Sequence, residues 1–209
     1  MNKSPRKIGI ITSGGNPWEI VFCVLHLENY KFIRSPITYK VSNLPPEIAA
    51  LENDLSRQQD VDIEDVKATG IEGLIVPGGI RIFNNLCDFE DVGAALKVDD
   101  GFKNLLKNVY RLEKPIGALG EAALLVTKAL QGITKSGLVV TVGNDPKIQG
   151  GIEKCGAQAV VTRPGEVVLD ETNKIITSGG ELGTRRAKDI YSSCENLISG
   201  MNGLIESGD

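Results

Sequence analysis

Short apolar runs that end in glycine turns alternate with helical periodicity along this chain. The run KIGIIT at 7–12 has the continuous β-branched character of a buried parallel strand, and helical spacing follows at 17–29. The same order recurs where GLIVPGG at 73–79 precedes the amphipathic segment 99–114, and again where PIGAL at 115–119 precedes EAALLVTKAL. Repeated strand–helix order predicts a mostly parallel sheet with helices on both faces, a doubly wound α/β/α sandwich of three layers.

The rest of the chain extends this pattern, and we expect all of it, residues 1–209, to form one domain. The segment 30–41 is mixed and predicts one or two short strands, whereas 80–98 has no clear pattern. Further helices are predicted at 45–58, 121–130, 146–156 and, as one long C-terminal helix, 181–205. Short strands are predicted at 137–143, 157–161, 166–170 and 174–180.

Composition excludes several classes of function. The 23 basic and 27 acidic residues leave a net charge of −4 spread along the chain, so we expect neither a nucleic-acid nor a membrane partner. The four cysteines lie far apart without metal-ligand spacing, so we expect no metal, no cofactor and no disulfide framework. With no signal-peptide pattern at the N-terminus, these features predict a cytoplasmic protein.

Ligands of doubly wound sheets bind beyond the carboxyl ends of the strands, so the residues that follow each predicted strand are the candidates for a site. Glycines in such turns allow backbone N–H groups to face one cavity, which favours an anion or a developing oxyanion. Taken singly, each turn is also explained as a tight connection. The candidate turns are Ser13–Asn16 with the nearby Glu19, Pro77–Arg81, Gly120–Glu121, Gly143–Asp145 and Ser178–Glu181.

Three of these turns, in their order and spacing, are similar to those of a known superfamily. The motifs IGIITSGG...WEI, GLIVPGGIRIFNNLCDF and KPIGALGEAALL resemble the ThiJ/PfpI superfamily of class I glutamine-amidotransferase-like proteins. Within it, the likeness is greatest to the ElbB glyoxalase-like family and its eukaryotic mitochondrial relatives. It continues through LVVTVGND, IEKCGAQAVV and VVLDETNKIITSGG, so it covers nearly the whole chain. The resemblance implies a flavodoxin-like fold and a homodimer.

The chain departs from this superfamily at the position that carries its chemistry. Relatives end the third motif's strand with a nucleophilic cysteine at a sharp elbow, and the resemblance places Gly120 at that position. An acidic residue of the first helix normally hydrogen-bonds this cysteine, and Glu19 matches it. A residue with a side chain is strained in such an elbow by about 1–3 kcal/mol, whereas glycine is not. The replacement therefore predicts that the fold persists and covalent catalysis does not.

Other residues could still support chemistry. If Glu19 and Glu121 both face the elbow, mutual repulsion would raise the pKa of one of them and permit acid–base catalysis. Cys23 and His26 share a helical face with Glu19 and could form a displaced thiol and base. We favour the simpler interpretation that Cys23 is buried and His26 is a half-exposed surface residue, because reactive thiols need a polar opening.

Arg81 is a second departure, since ElbB-like proteins tend to have a small residue in that loop. Its guanidinium could hold a carboxylate or phosphate beside the Gly78 and Gly79 amides, or it could pair with a local acid such as Asp88 or Glu90. We predict a small anionic metabolite as the ligand. The predicted ligand-binding residues are Gly14, Gly15, Gly78, Gly79, Ile80, Arg81, Gly120, Ser178 and Gly179.

Three functions follow from the sequence. The first is a catalytically silent member of the superfamily that binds a small molecule or a protein partner. The second is a glyoxalase-like or hydrolase-like enzyme that uses Glu19, Glu121 or a displaced cysteine. The third is a structural interaction protein with a vestigial pocket.

Overall fold

The computed structural model describes residues 6–39, 61–88 and 96–208. The helix predicted at 45–58 lies outside these residues. The described helices are α1 (Pro17–Asn29), α2 (Ile80–Leu86), α3 (Asp100–Arg111), α4 (Ala122–Leu130), α5 (Pro146–Lys154) and α6 (Ala187–Glu206). The described strands are β1 (Lys7–Ile11), β2 (Ile33–Thr38), β3 (Val61–Asp62), β4 (Gly73–Val76), β5 (Ile116–Leu119), β6 (Val139–Val140), β7 (Gln158–Ala159), β8 (Val167–Asp170) and β9 (Ile175–Ser178).

Seven of the described strands form one sheet in the order β3-β2-β1-β4-β5-β9-β8. Every neighbouring pair is parallel except β8 and β9, which are antiparallel at one edge. The remaining strands, β6 and β7, pair with each other in a separate two-stranded sheet. Since β1, β4, β5 and β9 are neighbours, their carboxyl ends bring four of the predicted turns to one edge of the sheet.

Alternating side chains of the sheet build two apolar layers. Ile75 packs with α1 and α6 on one face, whereas Leu74 and Val76 pack with α2, α3 and α4 on the other. Strand residues alternate between faces, so a strand covered on both sides is apolar throughout, as β4 is. The predicted doubly wound α/β/α sandwich is therefore confirmed. Among the described residues, no helix combines the length and apolar character needed to cross a membrane.

The long C-terminal helix begins later than predicted. A single 3₁₀ turn covers Gly180–Gly183, and α6 starts at Ala187 rather than at 181. Thr184 is the reason, because its hydroxyl accepts a hydrogen bond from Arg186 N (3.1 Å) and donates one to Asp189 (3.0 Å), which holds the chain outside the helix. The segment between β9 and α6 is thus a loop at the carboxyl edge.

His26 was expected at the surface, and this prediction is wrong. Its side chain is 1% exposed because α1 packs along α6, and its ring meets that of Tyr191 edge-on at 4.5 Å between centroids. The expectation for Cys23 is confirmed, since this residue is fully buried in the same interface.

Candidate functional site

The turn after β5 bends sharply at Gly120, and we call this bend the elbow. Gly120 has φ +51°, its N–H donates to Ser178 O on the neighbouring strand β9 (2.9 Å), and α4 begins two residues later. This left-handed conformation is strained for residues with a side chain and relaxed for glycine. The chain thus passes from strand to helix through a bend that glycine adopts without strain.

Space for a side chain remains at the elbow. A β-carbon placed on Gly120 would lie 3.5 Å from Gly179 O, 3.5 Å from Leu182 Cβ and 3.8 Å from Gly78 Cα. These are ordinary van der Waals separations, so the neighbouring residues leave room for a β-carbon at Gly120.

Glu19 reaches this edge of the sheet from the first turn of α1. Its carboxylate links two loops: Gly78 N donates to Oε2 at 2.6 Å, and Glu181 N donates to Oε1 at 2.8 Å. The side chain is 1% exposed. Gly180 allows this approach, because a β-carbon there would lie 2.1 Å from Glu19 Oε1.

Burial changes the ionisation of Glu19. Loss of hydration raises its pKa to about 7, with smaller upward contributions from the charges of Glu121 and Glu181. The two backbone hydrogen bonds from Glu181 and Gly78 act in the opposite direction, because they stabilise the carboxylate. Glu19 therefore changes its charge close to neutral pH, and it does so within hydrogen-bonding distance of two loops.

Glu121 lies on the other side of the turn after β4. Its Oε2 accepts a hydrogen bond from Gly79 N at 3.0 Å, and both Glu121 Oε2 and Glu19 Oε2 lie within 3.2 Å of the point that a Gly78 β-carbon would occupy. The two carboxylates therefore approach the same point beside Gly78. The N–H groups of Gly78 and Gly79, which we expected to bind an anionic ligand, instead bind the chain's own carboxylates.

A third carboxylate completes the group. Glu181, on the loop after β9, accepts a hydrogen bond at Oε2 from Asn16 Nδ2. Asn16 is also the N-cap of α1, because its Oδ1 accepts from Trp18 N (2.9 Å) and Glu19 N (3.2 Å). One asparagine thus fixes both the start of the helix that carries Glu19 and the position of Glu181.

A cavity of about 310 Å³ opens between these loops beside the elbow. Its lining includes Glu121 and Glu181. Arg185 is the cationic residue among the described residues that line it. The sequence predicts Arg81 for this role. Arg81 instead lies in the first turn of α2, where its backbone packs over Gly14. The full lining is Gly79, Ile80, Glu121, Glu181, Leu182 and Arg185.

The other predicted ligand-binding residues mostly shape the loops. Ser178 directs its hydroxyl to Glu166 O (2.7 Å), away from the elbow. Gly14 O accepts from Ile82 N (3.0 Å), which joins the turn after β1 to α2. Gly15 lies beside Pro77, and Gly179 packs against Gly143.

The turn after β6 does not reach the elbow. Asp145 caps α5 by accepting from Ile148 N (2.8 Å), and the Gly143 backbone packs against Gly179 and Gly183. Gly143 and Asn144 line a separate hollow of about 490 Å³ on the far side of that loop. A larger hollow of about 550 Å³, near Arg111 and Lys174, lies at the amino ends of the strands, away from the edge where such sheets bind ligands.

The four cysteines lie in other parts of the fold. Cys194 Sγ contacts the backbone carbonyl of Glu19 at 3.7 Å rather than its carboxylate, and contact with Cys23 together with burial raises the pKa of Cys194 above its usual value. Burial also raises the pKa of Cys155. The backbone of Cys87 forms an isolated antiparallel β-bridge with Val98. Among the residues that the structure describes, no group of three or more His, Cys, Asp or Glu side chains is arranged to hold a metal ion.

Sequence reasoning left two residues out of the predicted site. Glu181 was noted in its turn but not assigned to the site, although its position after a Ser-Gly-Gly turn at the carboxyl edge was the same signal that selected Ser178 and Gly179. Arg185 was missed because the segment was interpreted as helix. The pair Gly183–Thr184 was the available signal for a break.

Comparison with known proteins confirms the resemblance seen in the sequence. The chain is 28% identical to the ES1 protein, mitochondrial, of Danio rerio, over 65% of this chain and 53% of that protein. It is 29% identical to the glutamine amidotransferase-like class 1 domain-containing protein 3, mitochondrial, of Homo sapiens, over 59% of this chain and 48% of that protein. The chain thus spans about half the length of the curated relatives it matches. A scan of protein-family models finds no match.

Solved structures show the same fold. An isoprenoid biosynthesis protein with an amidotransferase-like domain from Ehrlichia chaffeensis superposes with a TM-score of 0.81 at 21% identity, covering 94% of this chain and 99% of that one. Drosophila melanogaster DJ-1beta superposes with a TM-score of 0.62 at 15% identity, covering 98% and 97% of the two chains.

The relatives contradict the predicted cytoplasmic location, because both curated proteins are mitochondrial by name. That prediction depended on widely spaced cysteines and on the first residues of the chain. Widely spaced cysteines fit any reducing compartment, so their spacing does not distinguish one such compartment from another.

Proposed function

We propose that this chain, which is similar to the ES1 and glutamine amidotransferase-like class 1 domain proteins and has the ThiJ/PfpI-like fold, binds a small molecule non-covalently in the elbow cavity and has no cysteine-based activity. The observation that carries this proposal is Gly120, which has the backbone geometry of the elbow and room for a side chain, but no nucleophile.

The surroundings of Gly120 support binding without covalent chemistry. Cys23 and Cys194 are fully buried, so neither presents a thiolate to the cavity. The Gly78 and Gly79 amides, which could stabilise an oxyanion, already bind Glu19 and Glu121. Both parts of acyl-transfer chemistry, the nucleophile and a free pair of donors, are therefore missing at the same place.

A second candidate is an enzyme that uses Glu19 as a general acid or base. The observation in its favour is the pKa of Glu19, raised by burial to about 7, since proton transfer is most efficient when the catalytic pKa is near the working pH. One observation argues against this candidate. Both carboxylate oxygens of Glu19 already accept hydrogen bonds from backbone N–H groups.

Methylglyoxal consumption by the full chain separates the two candidates. If the proposal holds, the wild-type protein consumes methylglyoxal no faster than buffer, and Glu19→Gln changes nothing. If the wild-type protein consumes methylglyoxal and Glu19→Gln abolishes the activity, the acid–base enzyme is correct and the proposal is wrong.

Restoring the thiol gives a positive control for the elbow. We expect Gly120→Cys to fold with a loss of about 1–3 kcal/mol in stability, because φ remains positive, and to gain one rapidly alkylated thiol. Gly132→Cys is the matched control, since Gly132 also has a positive φ (+82°) but lies in an exposed turn with nothing within 4 Å of an added β-carbon. Methylglyoxal consumption by Gly120→Cys but not by Gly132→Cys would identify position 120 as the elbow. Methylglyoxal consumption by both variants at equal rates would refute that assignment.

A further inference from the structure

We propose that Cys23 and Cys194 are a redox-sensitive pair, which hydrogen peroxide converts into a disulfide bond between α1 and α6. This proposal goes beyond the binding of a ligand in the elbow cavity and does not depend on it. It follows from the contact between the two thiols, from their shared surroundings and from the hydrogen bond that one of them makes to Glu19.

The two thiols meet in the interface between the first and the last helix. Cys23 lies on α1 and Cys194 on α6, and a hydrogen bond joins their side chains. Both residues are fully buried and belong to one apolar cluster, whereas Cys87 and Cys155 pack with the cluster on the opposite face of the sheet. A disulfide requires the two sulfur atoms to approach to about 2.05 Å. Two thiols that already form a hydrogen bond reach this distance after a small movement of the helices.

Cys194 also contacts the residue that links the loops of the site. Its Sγ donates to the backbone carbonyl oxygen of Glu19 at 3.7 Å. Since the single thiol proton of Cys194 serves this carbonyl, Cys23 is the donor in the hydrogen bond between the two thiols. A disulfide sulfur carries no proton, so oxidation removes both hydrogen bonds. Because Cys23 follows Glu19 by one turn of α1, the new bond also moves the backbone that carries the Glu19 carboxylate.

Oxidation of the pair consumes one molecule of peroxide. One thiol attacks the peroxide, so an S–O bond forms, the O–O bond breaks and water leaves, which gives a sulfenic acid. The second sulfur then displaces the hydroxyl group, so the S–S bond forms, the S–O bond breaks and a second water leaves. The thiols lose two electrons and two protons in total, and the peroxide is reduced to two molecules of water.

Burial governs the rate and the product of this reaction. The contact with Cys23 and burial raise the pKa of Cys194 above its usual range, which keeps the thiol protonated and slows the attack on peroxide. The second step is faster, because the partner sulfur is already in contact with the sulfenic acid. We therefore expect the pair to respond to sustained exposure to peroxide, and to stop at the disulfide rather than proceed to a sulfinic acid.

Peptide mapping of the full chain after exposure to peroxide tests the proposal. Remaining thiols are blocked in denaturant, and the digested chain is analysed by mass spectrometry without a reductant. We expect one cross-linked pair of peptides, which contains Cys23 and Cys194, lacks two hydrogen atoms and is separated by dithiothreitol. Cys87 is the internal reference for exposure to peroxide, because it is half-buried whereas the other three cysteines are buried.

Two amide signals in ¹H–¹⁵N NMR report whether oxidation reaches Glu19. Gly78 N and Glu181 N both donate to its carboxylate, so we expect their signals to shift after oxidation and to return after reduction. Cys194→Ser is the matched control, because its hydroxyl keeps a donor for the Glu19 carbonyl but cannot form a disulfide. Peroxide should leave both signals of this variant in place.

The proposal is overturned if Cys23 and Cys194 stay reduced under conditions that oxidise Cys87, or if either becomes a sulfinic acid without the cross-link. A cross-link that leaves the Gly78 and Glu181 signals unshifted would overturn the connection to Glu19. The same shifts in Cys194→Ser would also overturn it. Because peptide mapping uses the unaltered chain, it decides the first question even if a variant fails to fold.

Discussion

Gly180 determines where the Glu19 carboxylate can lie. Its φ is +51°, and an added β-carbon would lie 2.1 Å from Glu19 Oε1. Gly180→Ala therefore forces Glu19 away from both amides to which it is bound, in addition to straining the backbone. We expect a loss of about 3 kcal/mol, of which about 1 kcal/mol is left-handed strain and the rest is loss of buried hydrogen bonds.

Urea denaturation measures this loss, and Gly132→Ala provides the comparison. Gly132 shares the positive φ (+82°) without the close contact, so this variant should lose about 1 kcal/mol. Similar losses in the two variants would mean that the Glu19 carboxylate is not held in place through Gly180.

Individual site residues were predictable where a strand end could be recognised. Glu19 and Glu121 were expected near the elbow because β1 and β5 were clear in the sequence, and parallel strands bring their carboxyl ends together. Which partner each N–H group selects was not predictable. The Gly78 N–H donates to the carboxylate of Glu19, which is 59 residues away in sequence. The spacing of residues along the chain does not predict a hydrogen bond over such a separation.

At the scale of elements, the contact of α1 with α6 buries a titratable ring. His26 is 1% exposed, its Nε2 has no hydrogen-bond partner, and burial lowers its pKa despite the nearby charge of Glu195. An unfolded chain binds a proton on His26 below about pH 6.5, whereas the folded chain resists protonation. The stability that His26 contributes is therefore present above pH 6.5 and is lost as the pH falls through the folded-state pKa.

His26→Leu should remove this acid-side loss. Leucine fills a similar volume without an unsatisfied nitrogen, so we expect a change within about 1 kcal/mol at pH 7.5, and a flatter decrease in stability between pH 6.5 and 5. His26 is the only histidine of the chain, so the difference has a single source. Urea denaturation at several pH values measures it, and parallel pH profiles would show that His26 does not titrate between the folded and unfolded states in this range.

Helix limits were predictable where the chain itself marks them. Asn16 and Pro17 form a cap and first turn, and the predicted limits of α1, 17–29, are those of the structure. The start of α6 is marked less clearly. The segment before it has helical composition, and the break comes at Gly183–Thr184, where Thr184 bonds locally to Arg186 and Asp189. The burial of His26 depends on Tyr191, which lies far along the chain, so the surface position inferred from α1 alone was wrong.

For the whole molecule, the net charge of −4 understates the concentration of acid at one edge of the sheet. Glu19, Glu121 and Glu181 meet there although they are far apart in sequence. Burial and this clustering raise the folded-state pKa of Glu19 from 4.5 to about 7. Its stabilising contribution is thus fully present below pH 4.5 and is lost as the pH rises through 7, a change of about 3 kcal/mol for a shift of this size.

Glu19 and His26 oppose each other between pH 4.5 and 6.5, so the Glu19 effect is clearest in a protein without His26. We expect His26→Leu to lose stability as the pH rises from 4.5 to 7.5, because a buried carboxyl must ionise. Adding Glu19→Gln should flatten this slope, since glutamine is uncharged throughout this pH range. The variant also loses stability at every pH, because the glutamine NH₂ group faces one backbone N–H as a second donor. Urea denaturation of the single and double variants across this range measures both slopes. Equal slopes would mean that Glu19 titrates near its unfolded value and that burial does not raise its pKa.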